Sequence, residues 1–358
     1  MTLRPLRARP RVTCESVPLI ASDGTRLGLT RVHGDLPPDA PAVLLLHGHT
    51  ASSEMFLLPE IRNLVDALLD GGYEPWLLDW RGSCRLPYNE GRTRYTYDDV
   101  ALYDIPEAVA VIRDQAGDRK LFVVAHCIGA LCLSLSLTGG LVPDLAGVVA
   151  QGVFLTPKAS AKTRLLMHVG GEFLRTRWAH LPVDFSQVGL RSRYTPVFAW
   201  AGRGADCKDP TCQILQNSAW GMGGSLFEHD NLHGRTHDRL AELFGAVPLW
   251  VLPHMRRMEL AHTVMRWNTS DRRYARLPVN AVDSAGQIDC PLLLLAGSEN
   301  KIWMDSNELC YDILSRRYPQ LDVSYREIPG YGHVDPVIGR GAALDVFGHI
   351  LDFLDACR

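Results

Sequence analysis

The pentapeptide Ala125-His126-Cys127-Ile128-Gly129 sets a cysteine between two apolar runs, Leu121 to Ala125 and Ile128 to Leu137, with small residues two positions to either side. A buried strand that turns at once into a helix needs such small neighbours, because the backbone segments approach closely at the bend. A thiol there also meets free N–H groups and the positive end of the helix dipole. Cys127 is therefore expected to ionise more readily than an ordinary thiol, whose pKa is about 8.5, and is read as a nucleophile.

A nucleophile of this kind works with a base. His333, in Gly330-Tyr331-Gly332-His333, follows the last apolar strand pattern and precedes the terminal helix, so the chain order is nucleophile first and base last. A neutral imidazole there can take the thiol proton or form a thiolate–imidazolium pair. The residue that orients the imidazole is expected after the strand Pro291 to Leu295, in Gly297-Ser298-Glu299-Asn300. Asn300 stands where an acid would serve. Asparagine can hold an imidazole in orientation, without a charge to stabilise the imidazolium. Glu299, Asp305 and Asp335 are the alternatives, and Asp335 is also a candidate supporting residue behind His333. The loop His47-Gly48-His49 after the strand Ala42 to Leu46 supplies one backbone N–H of an oxyanion hole, that of His49, and Ile128 the second.

The elements around these residues follow from apolar periodicity. Ser16 to Ile20 and Arg26 to Val32 read as a hairpin about Ser22-Asp23-Gly24-Thr25. Strands at Ala42 to Leu46, Tyr73 to Asp79, Leu121 to Ala125 and Gly147 to Gln151 alternate with helices at Met55 to Leu69, Val100 to Arg113 and Ile128 to Leu137. Such alternation predicts an α/β class with a mostly parallel central sheet and helices on both faces, its functional residues at the C-terminal ends of the strands. The pattern lapses after Phe154 and resumes with strands at Pro291 to Leu295 and Val323 to Ile328 and helices at Ser306 to Arg317 and Ala342 to Leu354. The chain is accordingly divided into a core at 1–153, an inserted cap at 154–289 and the rest of the core at 290–358. Trp178, Trp200, Trp220, Trp250 and Trp267 and the leucines of the cap suggest an apolar acyl or polycyclic substrate group, or equally the cap's own core. Arg81 and Arg85 read as solvated surface arginines, with carboxylate or phosphate binding near the mouth of the site as the alternative.

The 358 residues, 46% hydrophobic and 22% charged, carry a net charge of −3 with the signs well mixed. That balance gives no footprint for nucleic acid and none for electrostatic membrane attachment. No run reaches transmembrane length and no apolar stretch follows the N-terminal arginines, so a cytoplasmic location is expected. Nine cysteines spread over a long chain are read mostly as reduced thiols. Cys207 and Cys212, with His229, His233 and His237 downstream, are the nearest approach to a metal motif, but their spacing is not a standard zinc pattern. They are taken as loop thiols and no metal is expected, a structural metal site or a disulfide being the lesser alternative. No Gly-x-Gly-x-x-Gly follows the first strand, so no dinucleotide cofactor is expected either.

Taken together, Leu78-Asp79-Trp80-Arg81-Gly82-Ser83, the stretch Tyr97 to Pro106, Ala125 to Gly129, Phe227 to Leu232, Thr236-His237, Leu243-Phe244-Gly245, Tyr331 to Asp335 and Asp345-Val346-Phe347 resemble one branch of the α/β-hydrolase superfamily. This is the cysteine-nucleophile hydrolase-like domain associated with bacterial cholesterol-oxidase-type (GMC) flavin oxidoreductases. The final stretch is also similar to acid lipases, in which an aspartate follows two positions after the histidine. The resemblance implies the α/β-hydrolase fold, the cysteine nucleophile and the asparagine after the seventh strand, and says little about substrate; no cofactor is expected. Dienelactone hydrolases and polyhydroxyalkanoate synthases also place cysteine at this turn, so the nucleophile does not fix the reaction. The expected activity is cleavage of an ester, thioester or lactone, on a small-molecule or carrier-bound acyl substrate, through an acyl-cysteine. Acyl transfer or cyclisation onto a non-water acceptor is the second reading, and a non-catalytic binding module the third.

Overall fold

The computed structural model describes residues 12–91, 94–183, 207–217 and 226–358. Turn chemistry opens the chain: Asp23 Oδ1 accepts from Thr25 N at 3.0 Å and Gly24 takes φ +86°, which folds β1 (Thr13–Ile20) back onto β2 (Arg26–His33) as an antiparallel pair. The following strands, β3 (Ala42–Leu46), β4 (Glu74–Asp79), β5 (Leu121–His126) and β6 (Gly147–Gln151), are buried at every position. Continuous burial means that both faces of the sheet are covered, the condition under which parallel strands occur. These strands pair in parallel, and β2 joins their edge antiparallel through β4.

A two-residue pair, β7 (His180–Leu181) and β8 (Val247–Pro248), forms apart from the main sheet. β9 (Leu292–Gly297) then docks in parallel directly on β6, and β10 (Val323–Ile328) on β9. The eight-stranded order is β1-β2-β4-β3-β5-β6-β9-β10. Chain direction across the sheet reverses between β3 and β5. A crevice opens at the C-terminal ends of strands at such a switch point, and these two ends carry the His47–His49 loop and Cys127. The helix Leu64–Asp70 packs on the C-terminal helix Phe347–Ala356, and Ile105–Ala116 packs on Ile128–Thr138.

Three helices depart from the sequence pattern. The span Met55 to Leu69 is a 3-10 turn, Ser53–Phe56, and a separate helix, Leu64–Asp70. Pro59 interrupts it, and Asn63 starts the new helix by accepting from Asp66 N at 3.0 Å. The span Val100 to Arg113 includes a wide π-turn at Val100–Asp104 just before Pro106, whose missing N–H removes one ladder bond. The terminal helix is broken at Val346, which leaves helical geometry (φ −125°, ψ −50°) with its side chain in the core.

Candidate active site

Cys127 sits between β5 and the helix Ile128–Thr138 with φ +55° and ψ −123°. A β-carbon in that region costs about 1–3 kcal/mol, so the surroundings must impose it. The Cys127 amide continues the β5–β6 ladder by donating to Gln151 O at 3.0 Å, and its carbonyl starts the helix by accepting from Ala130 N at 2.9 Å. Two glycines make room. A Cβ on Gly129 would stand 2.5 Å from the His47 carbonyl oxygen, and one on Gly48 would stand 2.8 Å from His126 Cδ2 and 3.1 Å from Cys127 Cβ.

The backbone N–H groups of His49 and Ile128 both face Cys127 Sγ, and so does the indole N–H of Trp303. That indole nitrogen is buried with no geometrically regular acceptor of its own among the described residues. These donors pull the thiol pKa down, but burial outweighs them and pushes it up to about 11. The expectation of an easily ionised thiol is corrected: desolvation of a buried anion exceeds what the helix end and three donors return. The cavity above Sγ, about 40 Å³, is bounded by His49, His126 and His333 and by apolar walls that include Met167, Leu226, Phe244 and Met255. Of the cap tryptophans, Trp178, Trp250 and Trp267 do not line it, and Trp200 and Trp220 lie outside the described residues. The apolar wall comes instead from Met167, Leu226, Phe244 and Met255 together with Ile302, Trp303 and Val334.

A ring nitrogen of His333, a ring nitrogen of His126 and Cys127 Sγ lie within 4.8 Å of one another. The His333 and His126 rings are 4.9 Å apart. Nothing in the residue pattern marks a second imidazole here beyond the place of His126 in the motif. Gln151 bridges the pair, its amide N–H donating to His333 O at 3.0 Å and its oxygen pairing with His126 Nδ1. The Gln151 oxygen can only accept, so His126 carries its proton on Nδ1. Burial, followed by the nearby His126, holds the His333 pKa well below the ordinary imidazole value, and the ring is neutral.

Neither ring nitrogen of His333 has a hydrogen-bond partner among the described residues. Asn300 does not meet it: Nδ2 donates to Gly152 O at 3.0 Å and Oδ1 accepts from Trp303 N at 3.2 Å. No hydrogen bond joins the alternatives to the ring either, although one oxygen each of Asp305 and Asp335 is buried without a partner among the described residues. Glu299 faces Lys301 at 3.5 Å, Asp305 pairs with Lys158 at 2.6 Å, and Asp335 takes Asn231 Nδ2 at 2.6 Å and Gly332 N at 3.1 Å. What seats the ring is packing. A Cβ on Gly152 would fall 2.6 Å from His333 Cε1, and one on Gly297 would fall 2.1 Å from Tyr331 O and 2.3 Å from Gly332 O. Both glycines therefore let the His333 loop lie directly on the ends of β6 and β9.

A sequence model of the Alpha/beta hydrolase family matches residues 43–344, the span holding the crevice, Cys127 and His333. This chain belongs to the alpha/beta hydrolase family. Mouse Lipase member K is 24% identical over 94% of the chain and 86% of its own length, and rat gastric triacylglycerol lipase is 28% identical over 42% of the chain. The chain spans only about 40% of the rat protein. Among solved structures, a thermostable carboxyl esterase from Bacillus coagulans superposes with a TM-score of 0.64 at 13% identity, covering 96% of the chain and 98% of that protein.

In this alpha/beta hydrolase, Arg81 and Arg85 are not solvated surface groups. Arg81 is buried and forks onto Asp104 with Nε at 2.9 Å, reaching Asp23 with Nη1 at 2.9 Å. Arg85 pairs with the buried Asp79, which also accepts from Ser53 N at 3.0 Å and Ser83 Oγ at 2.7 Å. Both arginines brace the loop after β4 from within. Cys207 and Cys212 are both free thiols, Cys207 ahead of the helix Pro210–Asn217 and Cys212 on it. Cys212 is buried, and its sulfur, that of Cys207 and one ring nitrogen each of His229 and His237 all lie within 4.8 Å of one another. His233 stays outside the group, accepting from Arg235 N at 3.2 Å. No helix among the described residues is long and apolar enough to cross a membrane.

Proposed function

We propose that this protein cleaves an ester or thioester of a small-molecule or carrier-bound acyl group through an acyl-cysteine on Cys127. One observation carries the reading: the Cys127 sulfur stands at a strained strand-to-helix turn, faced by the N–H groups of His49 and Ile128, with a neutral imidazole of His333 close by. The lipase and esterase relatives point to the ester class. Because the thiol is held protonated and His333 neutral, the resting pair is SH and imidazole. Attack then joins two events: His333 takes the thiol proton as sulfur bonds to the acyl carbon, and the carbonyl oxygen gains its negative charge against the two amides. His333 returns that proton to the leaving alcohol or thiol as the tetrahedral adduct collapses to the thioester. Water, deprotonated by His333, then releases the acid and restores the thiol.

The chain is on this reading a cysteine-nucleophile member of its family, of the branch related to the GMC-associated hydrolase-like domains. Asn300 acts by positioning: its amide ties the Trp303 loop to Gly152, on which the His333 ring rests. None of the nine cysteines is paired in a disulfide, which suits a reducing compartment such as the cytoplasm. The apolar cavity wall favours a second fate for the thioester, interception by an amine, alcohol or thiol acceptor where water is scarce.

Intact-mass spectrometry after brief exposure to aryl esters, acyl-thioesters and lactones tests the proposal. The wild type is expected to gain one acyl mass, and Cys127→Ala none. Decay of the adduct in water alone marks a hydrolase, and decay only on adding a nucleophile marks a transferase. An unmodified Cys127 across the panel, or equal turnover by Cys127→Ala, refutes the acyl-cysteine.

A further inference from the structure

Outside the crevice, the described residues bring four metal-type donors together at one other place. Cys207 precedes the helix Pro210–Asn217, which presents the buried Cys212, and His229 and His237 come from the 3-10 turn His229–Asn231 and the helix Gly234–Asp238. In sequence the histidines are too far apart for an ordinary zinc motif. The bend at Leu232–His233 folds the second helix back, so that the two imidazoles stand 4.7 Å apart. Cys207 Sγ lies 3.5 Å from His237 Nε2. Zn–S and Zn–N bonds of about 2.3 and 2.05 Å at a tetrahedral angle put sulfur and nitrogen about 3.6 Å apart. The backbone N–H of Asp209 points at Cys207 Sγ at 3.4 Å, a donor that stabilises a thiolate.

We propose that Cys207, Cys212, His229 and His237 form a tetrahedral zinc site of structural type. Two thiolates and two neutral imidazoles make a soft N/S set that suits Zn²⁺ and leaves no position open for substrate. The charge closes: two thiols give up two protons to solvent as the dication binds, and the site is neutral. Its place in the fold gives it a task. Asn231, two residues after His229, donates to Gly330 O at 2.8 Å and to Asp335 Oδ2 at 2.6 Å, and Leu226 O accepts from Val334 N at 2.9 Å. The metal thus ties the segment that rests on the His333 loop to the helix Pro210–Asn217.

Elemental analysis of the untagged full-length chain, made with zinc in the medium and dialysed, is expected to find stoichiometric zinc. X-ray absorption at the zinc edge is expected to show two sulfur and two nitrogen neighbours, a readout that needs no variant. Cys127→Ala keeps the metal. Cys212→Ser and His237→Ala lose it, with a melting temperature several degrees lower. In cobalt-exchanged protein a thiolate-to-metal charge-transfer band appears and is absent from Cys212→Ser. The proposal is overturned by folded wild type that takes up no zinc on reconstitution. It is equally overturned by a one-sulfur coordination shell that vanishes in Cys127→Ala, or by a Cys207–Cys212 disulfide in freshly purified protein.

Discussion

The carboxamide of Asn300 faces Gly152 and not His333: Nδ2 donates to the Gly152 carbonyl at 3.0 Å, and the imidazole rests on the Gly152 α-carbon. Replacement by the acid common at this position would put a carboxylate oxygen against a carbonyl oxygen. Asn300→Asp is therefore expected to lower stability by about 1–3 kcal/mol, the cost of an unmade buried hydrogen bond. It should reduce kcat without moving the pH profile toward that of a charged triad. Thermal melts together with a pH–rate profile decide it, and a stable, more active variant with a raised imidazole pKa would show that Asn300 can reach the ring.

A second prediction concerns protonation. Burial raises the folded-state thiol pKa of Cys127 to about 11, so the group holds its proton through neutral pH. Alkylation by iodoacetamide should accelerate about tenfold per pH unit from 7 to 10, as expected below a thiol pKa, with no shoulder at acid pH. A rate plateau beginning near pH 5 would reveal a thiolate–imidazolium pair and contradict the neutral resting state. Trp303→Phe, which removes one N–H facing the sulfur, should slow alkylation at pH 9 several-fold.

Backbone contact at the ends of β6 and β9 makes a third expectation sharp. Gly297→Ala drives a methyl into the Tyr331 and Gly332 carbonyls, at 2.1 and 2.3 Å, and neither can move without shifting His333. A loss on the order of 3 kcal/mol in urea unfolding and of most activity is expected. Gly170→Ala meets open space at helical φ and ψ and is expected to gain about 0.5–1 kcal/mol with activity intact.

The fourth prediction follows from Arg81. Arg81→Met leaves Asp104 buried without its fork of hydrogen bonds and is expected to cost about 3–5 kcal/mol. Adding Asp104→Leu removes the orphaned charge, so the double variant should be more stable than Arg81→Met alone. Chemical denaturation of the two variants and the wild type reads the sign directly.

Much of this architecture is legible from local pattern. The unbroken apolar runs of β3, β5 and β6 and the turn chemistry of Asp23-Gly24 need no distant partner to be read, and the small residues around Cys127 announce a tight bend. What the chain hides is non-local. The sequence around Arg81 does not point to Asp104, twenty-three positions on, and two arginines in a loop look like surface. Thiol ionisation near Cys127 looks favourable from the helix end alone, because the burial that reverses it comes from cap residues such as Met167 and Met255. Asn300 occupies the expected position, but the direction of its amide is set by Gly152 and Trp303. The Cys207–His237 encounter depends on a bend that spacing rules do not anticipate.

β6 and β9 are hydrogen-bonded neighbours, although roughly 140 residues intervene between them, and since each doubling of a connection adds only about 0.6 kcal/mol of closure entropy, the pairing is nearly indifferent to the length of that connection. What the segment contains matters at its contacts instead, where Asn231 and Leu226 hydrogen-bond the loop that carries His333. Length can therefore be added to that segment away from those contacts without disturbing how β6 and β9 pair.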